Sequence, residues 1–361
     1  MKKIFFLAAI TLAAASCLKD NSVVVESEKE INFKAMTNVA TKADAQLEGN
    51  ILTADYRIYA SATQRKADGI VENKEYFRGL AFDTEDAEPT ITSTYHAWDV
   101  QGDKKAPIYW PVGGCVLDYL AYAMPVEAYG VAPIAEFDGE EAASHLVFKA
   151  WNTYDNQVDV LYAVKNGATT AENAGTGKTV GLNFKHAQAL LVFEAKINEG
   201  CEGLLQINKI EFVTDVTKPA EQQTLLVQGD FVVDNSKNNL EVKWENLKSL
   251  DKKNVVAPGA DPDDDYLHDA DDPNDTGSER LDNKEYDQVG STLLIPQQPA
   301  INFIVYYTVS GKQMAYEFNH VRQAWEKGKK YTYQLDFNLN EIVITESVDE
   351  YIPVTYTEIL K

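Results

Sequence analysis

From Ile31 the chain alternates: Ile31, Phe33, Ala35, Thr37 and Val39 share one face, and Asn32, Lys34 and Asn38 the other. A period of two is the pleat of a β-strand, so residues 31–39 read as a strand with one apolar face. Short segments with strand signals recur at 55–60, 94–98, 108–110, 117–123, 146–148 and 158–162. They resume at 180–184, 189–197, 207–214, 224–227, 231–233, 240–244, 292–295, 301–309, 313–318 and 330–339. Gly, Pro and Asp punctuate them and helical periodicity is scarce, which predicts an all-β chain of sandwich type. Residues 186–192 fit a helical turn as well as a strand. Residues 168–178, small and polar with Gly, read as a linker. They divide the chain near residue 175 into an N-terminal β-sandwich domain (43–175) and a C-terminal one (176–361).

The two ends carry the most information. Ile342, Ile344, Val348, Ile352, Val354, Tyr356 and Leu360 all fall on even positions, with Glu346, Glu350 and Glu358 interrupting the stripe. Twenty extended residues reach on the order of 65 Å, against about 5–6 residues for an ordinary strand. Such a tail is either split between two sheets or reaches another molecule. At the other end, strand 31–39 runs directly into a polar loop, Thr41-Lys42-Ala43-Asp44-Ala45. A trypsin-like cut between Lys42 and Ala43 would free the strand marked by Ile31, Phe33, Ala35 and Val39, leaving an apolar groove with unpaired backbone groups. A donor strand drawn from 342–361 of the next subunit (Val348, Ile352, Val354, Tyr356, Leu360) could fill that groove by strand addition. A head-to-tail contact that does not close grows a filament. Both ends also fit ordinary edge strands of a monomer, and alternation alone does not choose.

The first residues set the compartment. Lys2 and Lys3 precede an uncharged apolar run over 4–15, too short to span a bilayer but suited to a signal peptide. Ala13-Ala14-Ala15-Ser16 then leads to Cys17. A cysteine after such a run looks like a bacterial lipobox, with Ala14 where Leu is usual. On that reading residues 1–16 are removed, Cys17 carries a covalent lipid, and 17–42 is a lipidated propeptide. An ordinary secretory signal with an incidental cysteine is the other reading. Cys115 and Cys201 lie far apart among apolar residues or Gly, and read as small buried hydrophobes rather than a disulfide or metal site.

Charge and motifs remove further classes. The formal net charge is −23, which argues against nucleic acid as a partner. Residues 261–287 hold twelve acidic side chains against two basic ones. A calcium loop wants Gly at its sixth position, where Tyr266 or His268 stands, so the segment reads as a solvated insertion, with weak calcium binding as the alternative. Gly175-Thr176-Gly177-Lys178-Thr179 fails as a phosphate loop, because Glu172 occupies the place of its first Gly. No HExxH or GxSxG pattern occurs, and His96, His145, His186, His268 and His320 are scattered without metal-ligand spacing. His186 and His320 read as structural or surface residues. No catalytic residue, metal or free cofactor is expected. Trp98, Trp110 and Trp325 read as packing residues, with a sugar platform the alternative.

An ordered set of short motifs resembles the Bacteroidia fimbrillin family. It begins with the lipoprotein signal, Asn32-Phe33-Lys34, Thr41-Lys42-Ala43 and Tyr56-Arg57-Ile58-Tyr59-Ala60. Ile108-Tyr109-Trp110-Pro111, Leu117-Asp118-Tyr119-Leu120-Ala121-Tyr122-Ala123 and Asp159-Val160-Leu161-Tyr162-Ala163 follow. Val180-Gly181-Leu182-Asn183-Phe184-Lys185-His186-Ala187 with Leu191-Val192-Phe193, Leu293-Leu294-Ile295-Pro296-Gln297, and residues 325–333 from Trp325 to Tyr333 complete it. The resemblance implies two tandem transthyretin-like β-sandwich domains and export as an outer-membrane lipoprotein. It also implies removal of the first strand by an Arg/Lys-specific protease. Polymerisation by strand exchange, with itself and other fimbrial subunits, would build cell-surface fimbriae that serve adhesion to a host or bacterial ligand and biofilm formation. The family commonly has Arg at the cleavage position, where this chain has Lys42. Arg57 lies in an expected strand, and Arg65 and Lys66 in an expected loop. The rival readings are a lipid-anchored surface glycan-binding protein and a fimbrial tip adhesin.

Overall fold

Residues Cys115–Pro125 are apolar on both faces: Leu117, Tyr119, Ala121 and Ala123 alternate with Leu120, Tyr122 and Met124, and all are buried. A strand covered on both sides belongs to a middle layer, and the rest of the N-terminal half is arranged around it. The computed structural model describes residues 29–37, 50–51, 56–66, 74–86, 93–98, 106–111, 115–126, 135–138, 144–173, 178–197, 205–214, 225–236, 239–250, 254–256, 286–298, 301–309, 311–318, 324–337 and 342–350. Over these residues the chain is all-β, as its pattern predicts.

In chain order the strands are β1 (Phe33–Thr37), β2 (Asn50–Ile51), β3 (Tyr56–Lys66), β4 (Lys74–Asp83), β5 (His96–Trp98), β6 (Cys115–Pro125), β7 (Ala135–Asp138), β8 (His145–Asn152) and β9 (Leu161–Thr169). One helical turn, α1 (Thr170–Asn173), leads on to β10 (Val180–His186) and β11 (Ala189–Ile197). After these come β12 (Leu205–Thr214), β13 (Leu226–Asp234), β14 (Glu241–Ser249), β15 (Asn254–Val256), β16 (Asp287–Leu294), β17 (Ile301–Val309), β18 (Lys312–Phe318), β19 (Lys329–Phe337) and β20 (Ile342–Glu350).

The largest sheet has the order β2-β1-β10-β9-β6-β3-β4-β5. Its inner residues, among them Ile58, Phe82, Leu117, Tyr119, Leu182 and Phe184, form one cluster with Phe33 of β1. Phe33 also bridges to Tyr95, next to β5 at the far end of the sheet. The sheet therefore curls almost into a barrel around that core. Its other face, through Tyr59, Leu120, Tyr122 and Tyr162, packs on Phe148, Trp151 and Phe231 of a second sheet, β14-β13-β8-β7. A separate sandwich is made by β16-β11-β19-β20 against β15-β12-β17-β18. Its core is aromatic, with Phe193 stacked on Tyr333 and edge-on to Phe303.

The division expected near residue 175 does not coincide with a change of sheet. β10 lies beside β9, and the β13–β14 hairpin extends the sheet of β8. Residues 168–178 begin as the end of β9 and α1 rather than as a free linker. Residues 186–192 end one strand and begin another; they form no helical turn. The two-residue bend there joins both halves: Ala187 N–H donates to Val160 O, Trp244 Nε1–H donates to Ala187 O at 2.9 Å, and Gly328 N–H donates to Gln188 O at 2.8 Å. His186 sits beside it, fully buried, with Nδ1 2.9 Å from the Asp159 carboxylate, which also accepts from Tyr56 Oη. Arg65 and Lys66 are the last residues of β3 and not a loop; Arg65 is paired with Asp118 at 2.6 Å. Arg57 is buried, and its Nε donates to Asp83 at 2.9 Å.

Candidate functional site: the groove of the first strand

The alternation at 31–36 sets up the site. Ile31, Phe33 and Ala35 are 0%, 0% and 3% exposed, while Asn32, Lys34 and Met36 are only partly covered. β1 runs parallel to β10, from Phe33 opposite Val180 to Thr37 opposite Phe184. Its other side is held by parts of the chain that are distant in sequence. Ile31 N–H donates to Ile108 O at 2.7 Å and Trp110 N–H to Lys29 O at 2.9 Å. Phe33 and Tyr95 exchange two bonds, of 3.0 and 2.9 Å. Two residues of β2 pair antiparallel with Met36 and Thr37. The Phe33 ring stands edge-on to Phe82 at 4.6 Å and to Tyr119 at 5.3 Å. β1 is thus a central plug that closes the curled sheet, and not a peripheral strand.

The floor of the groove is apolar. Burial drives the Tyr119 phenol well above its ordinary range, so it stays neutral. Burying the Ile31 and Phe33 side chains contributes about 1.5–3 kcal/mol each, on top of the backbone bonds on both edges.

Ile31, Phe33 and Ala35 therefore meet in one place, as the alternation predicts. Val39, Lys42, Ala43 and Cys17 lie outside the described residues, as do Ile352, Val354, Tyr356 and Leu360, His268, His320 and Cys201. The described start of the C-terminal stripe is β20, the edge strand beside β19, with Tyr331 opposite Val348. Val348 is 43% exposed. The groove walls, Tyr95, Ile108 and Tyr119, had no role assigned from the sequence. Tyr119 could have been found, because it shares an inward stripe with Leu117, Ala121 and Ala123.

Other candidate chemistry is placed elsewhere. Cys115 is buried, and its Sγ accepts from Gln64 Nε2. Trp110, Trp151 and Trp325 are buried, and Trp98 and Trp244 are partly covered, so no tryptophan platform faces solvent. Among the described residues no cluster of His, Cys, Asp or Glu is placed to hold a metal.

The chain belongs to the fimbrillin-like family, whose model matches residues 37–349. It is thus a fimbrial, cell-adhesion type of protein, of a family placed at the cell surface. Among solved structures it is similar to a fimbrial protein from Bacteroides vulgatus, with 13% identity over 90% of this chain and 99% of that one, at a TM-score of 0.55. A fimbrial assembly protein from Parabacteroides distasonis has 12% identity over 89% and 98%, at 0.35. The fimbrial anchor protein Mfa2 from Porphyromonas gingivalis has 8% identity over 90% and 98%, at 0.35. The likeness to the first extends to the fold. No curated protein matches the chain in sequence.

Proposed function

We propose that this protein is a structural subunit of cell-surface fimbriae. It is exported as a lipoprotein through Cys17, cut between Lys42 and Ala43, and polymerised by strand exchange. The observation that carries the proposal is the position of β1. A segment close to the chain's start supplies Ile31, Phe33 and Ala35 to the core of the curled sheet, with backbone bonds on both sides. Its departure leaves a long apolar groove with unpaired backbone groups, which a strand of the same periodicity fills at low cost in free energy.

The donor is the even-numbered stripe from Val348 through Ile352, Val354, Tyr356 and Leu360 of the next subunit. Arg57 and Arg65 are poor alternative cleavage points, since both lie inside β3 and are engaged with Asp83 and Asp118. Partners are copies of this chain and other fimbrial subunits, with the outer membrane anchoring the precursor and an Arg/Lys-specific protease acting on it. The finished filament serves adhesion and biofilm formation.

The test is electron microscopy of the secreted chain after limited trypsin treatment, with N-terminal sequencing of the product. Filaments and a new N-terminus at Ala43 are expected from the wild type, and monomers from Lys42→Ala. Polymers from the treated Lys42→Ala chain would show that release at this bond is not the trigger.

A further inference from the structure

Edge strands expose a row of unpaired N–H and C=O groups, and folds blunt them by shortness, bulges or charge. Most edges of the described sheets are blunted in this way. β2, β5, β7 and β15 have only two to four residues. β16 is bulged where Gly290 and Gln288 face consecutive residues of β11. β14 is bulged near Asn246, whose φ is 52°.

Two long edges remain without a register shift, β18 and β20. They border the same flank of one sandwich, because Phe303 and Tyr307 of β17 pack on Tyr333 and Phe337 of β19. β20 contains Glu346, Asp349 and Glu350 and no basic residue, and self-pairing about its midpoint places Glu346 opposite its own copy. β18 differs: Lys312 to Glu317 are all exposed, Met314 and Tyr316 at 39% each, and it holds one cation and one anion. The neighbouring β17, Ile301–Val309, carries no charge, so the β17–β18 pair is neutral, whereas β20 on the same flank is acidic.

We propose that β18 is a self-association edge, which pairs antiparallel with β18 of a second copy across a two-fold axis through Ala315. Two identical strands pair antiparallel only when facing residues have the same hydrogen-bonding direction, which puts the axis at a residue and not between two. Centred on Ala315, all seven residues of Lys312–Phe318 find partners. Met314 faces Tyr316 of the second copy and Tyr316 faces its Met314, a thioether–aromatic contact made twice. Gln313 faces Glu317, and Lys312 faces Phe318. No like charges stand opposite each other, and Ala315 meets Ala315 at the axis, where small side chains let the backbones approach. Distant acidic groups are screened within about 8 Å at physiological salt. The contact is independent of strand exchange: it joins copies side by side, where strand exchange joins them end to end.

The test uses the full chain in the Lys42→Ala background, so that cleavage-driven polymers do not contribute. Under mild oxidation Ala315→Cys should form a disulfide-linked dimer well above the background of the parent chain. Lys312→Cys should not, because the register places its two copies about 20 Å apart (~3.3 Å per residue). In sedimentation at 0.15 M salt the parent should dimerise with rising concentration, and Tyr316→Lys should weaken the dimer about tenfold through loss of two cross-strand pairs. Equal cross-linking at 312 and 315, or none at either, overturns the proposal. So does a parent that stays monomeric at all concentrations. Either failure leaves the strand-exchange reading intact, since that reading depends on the cut at Lys42 and not on β18.

Discussion

The plug-like position of β1 makes Phe33→Ala the most informative perturbation. Phe33 is fully buried and touches Phe82 and Tyr119 edge-on. Truncating a buried Phe to Ala costs about 3–5 kcal/mol, from lost transfer free energy and the cavity left behind. The loss falls on the seating of one strand in one sheet. The second sandwich, with Phe193, Phe303 and Tyr333, has its own core and shares no residue with that of Phe33. Detachment of β1 should therefore become roughly a hundredfold or more as frequent, at about 1.4 kcal/mol per decade. Amide hydrogen exchange read by peptide should show this directly. Protection should fall by that factor across β1 and at its partners Tyr95 and Val180, and stay unchanged across β11, β17 and β19. A uniform loss of protection over both regions would refute the reasoning, because β1 would then be part of a single cooperative unit. So would an unchanged rate at β1.

Three further outcomes are expected. Asp159→Ala leaves His186 and Tyr56 without their shared acceptor in a fully buried site, and should cost about 3–5 kcal/mol in urea unfolding. Lys327 is held at about 8 by burial, with Lys185 adding to the effect, as it lies against the Tyr162 ring. Its folded value is below its unfolded one, so the unfolded chain binds the extra proton between about pH 8 and 10.5. Stability from this group therefore rises with pH across that window, and Lys327→Met should flatten the rise in pH-dependent unfolding curves. Gly229→Ala places a methyl 2.8 Å from Leu247 Cδ2 and 3.1 Å from Glu245 O, and should lower the melting temperature by an amount that corresponds to about 1–3 kcal/mol.

Local alternation was enough to find β1, β10, β11 and β17, whose inward residues repeat every second position. It missed β4, where Gly79 at φ 60° and the paired bulge opposite Ala62 break the period. It missed β7, whose four residues are all only half-buried. Pairing across long stretches of chain was not legible, because period two tells which face is buried and not which strand covers it. The placement of β13 and β14 beside β8 is one such case. The closure of β1 against Tyr95 and Ile108 is another, and it is the one that builds the groove.

The parallel pairing of β1 with β10 also bears on how the chain is made. Phe33 lies opposite Val180, 147 positions later. At about 5–20 residues per second of synthesis, the first strand waits roughly 7–30 s before its partner exists. During that time Ile31 and Phe33 have no native core to enter, and contacts of such long range form slowly. The strand that closes the sheet is thus synthesised before every other strand of that sheet and can be seated only after β10. An export machinery that keeps the chain unfolded until β10 is outside would favour the native order of assembly.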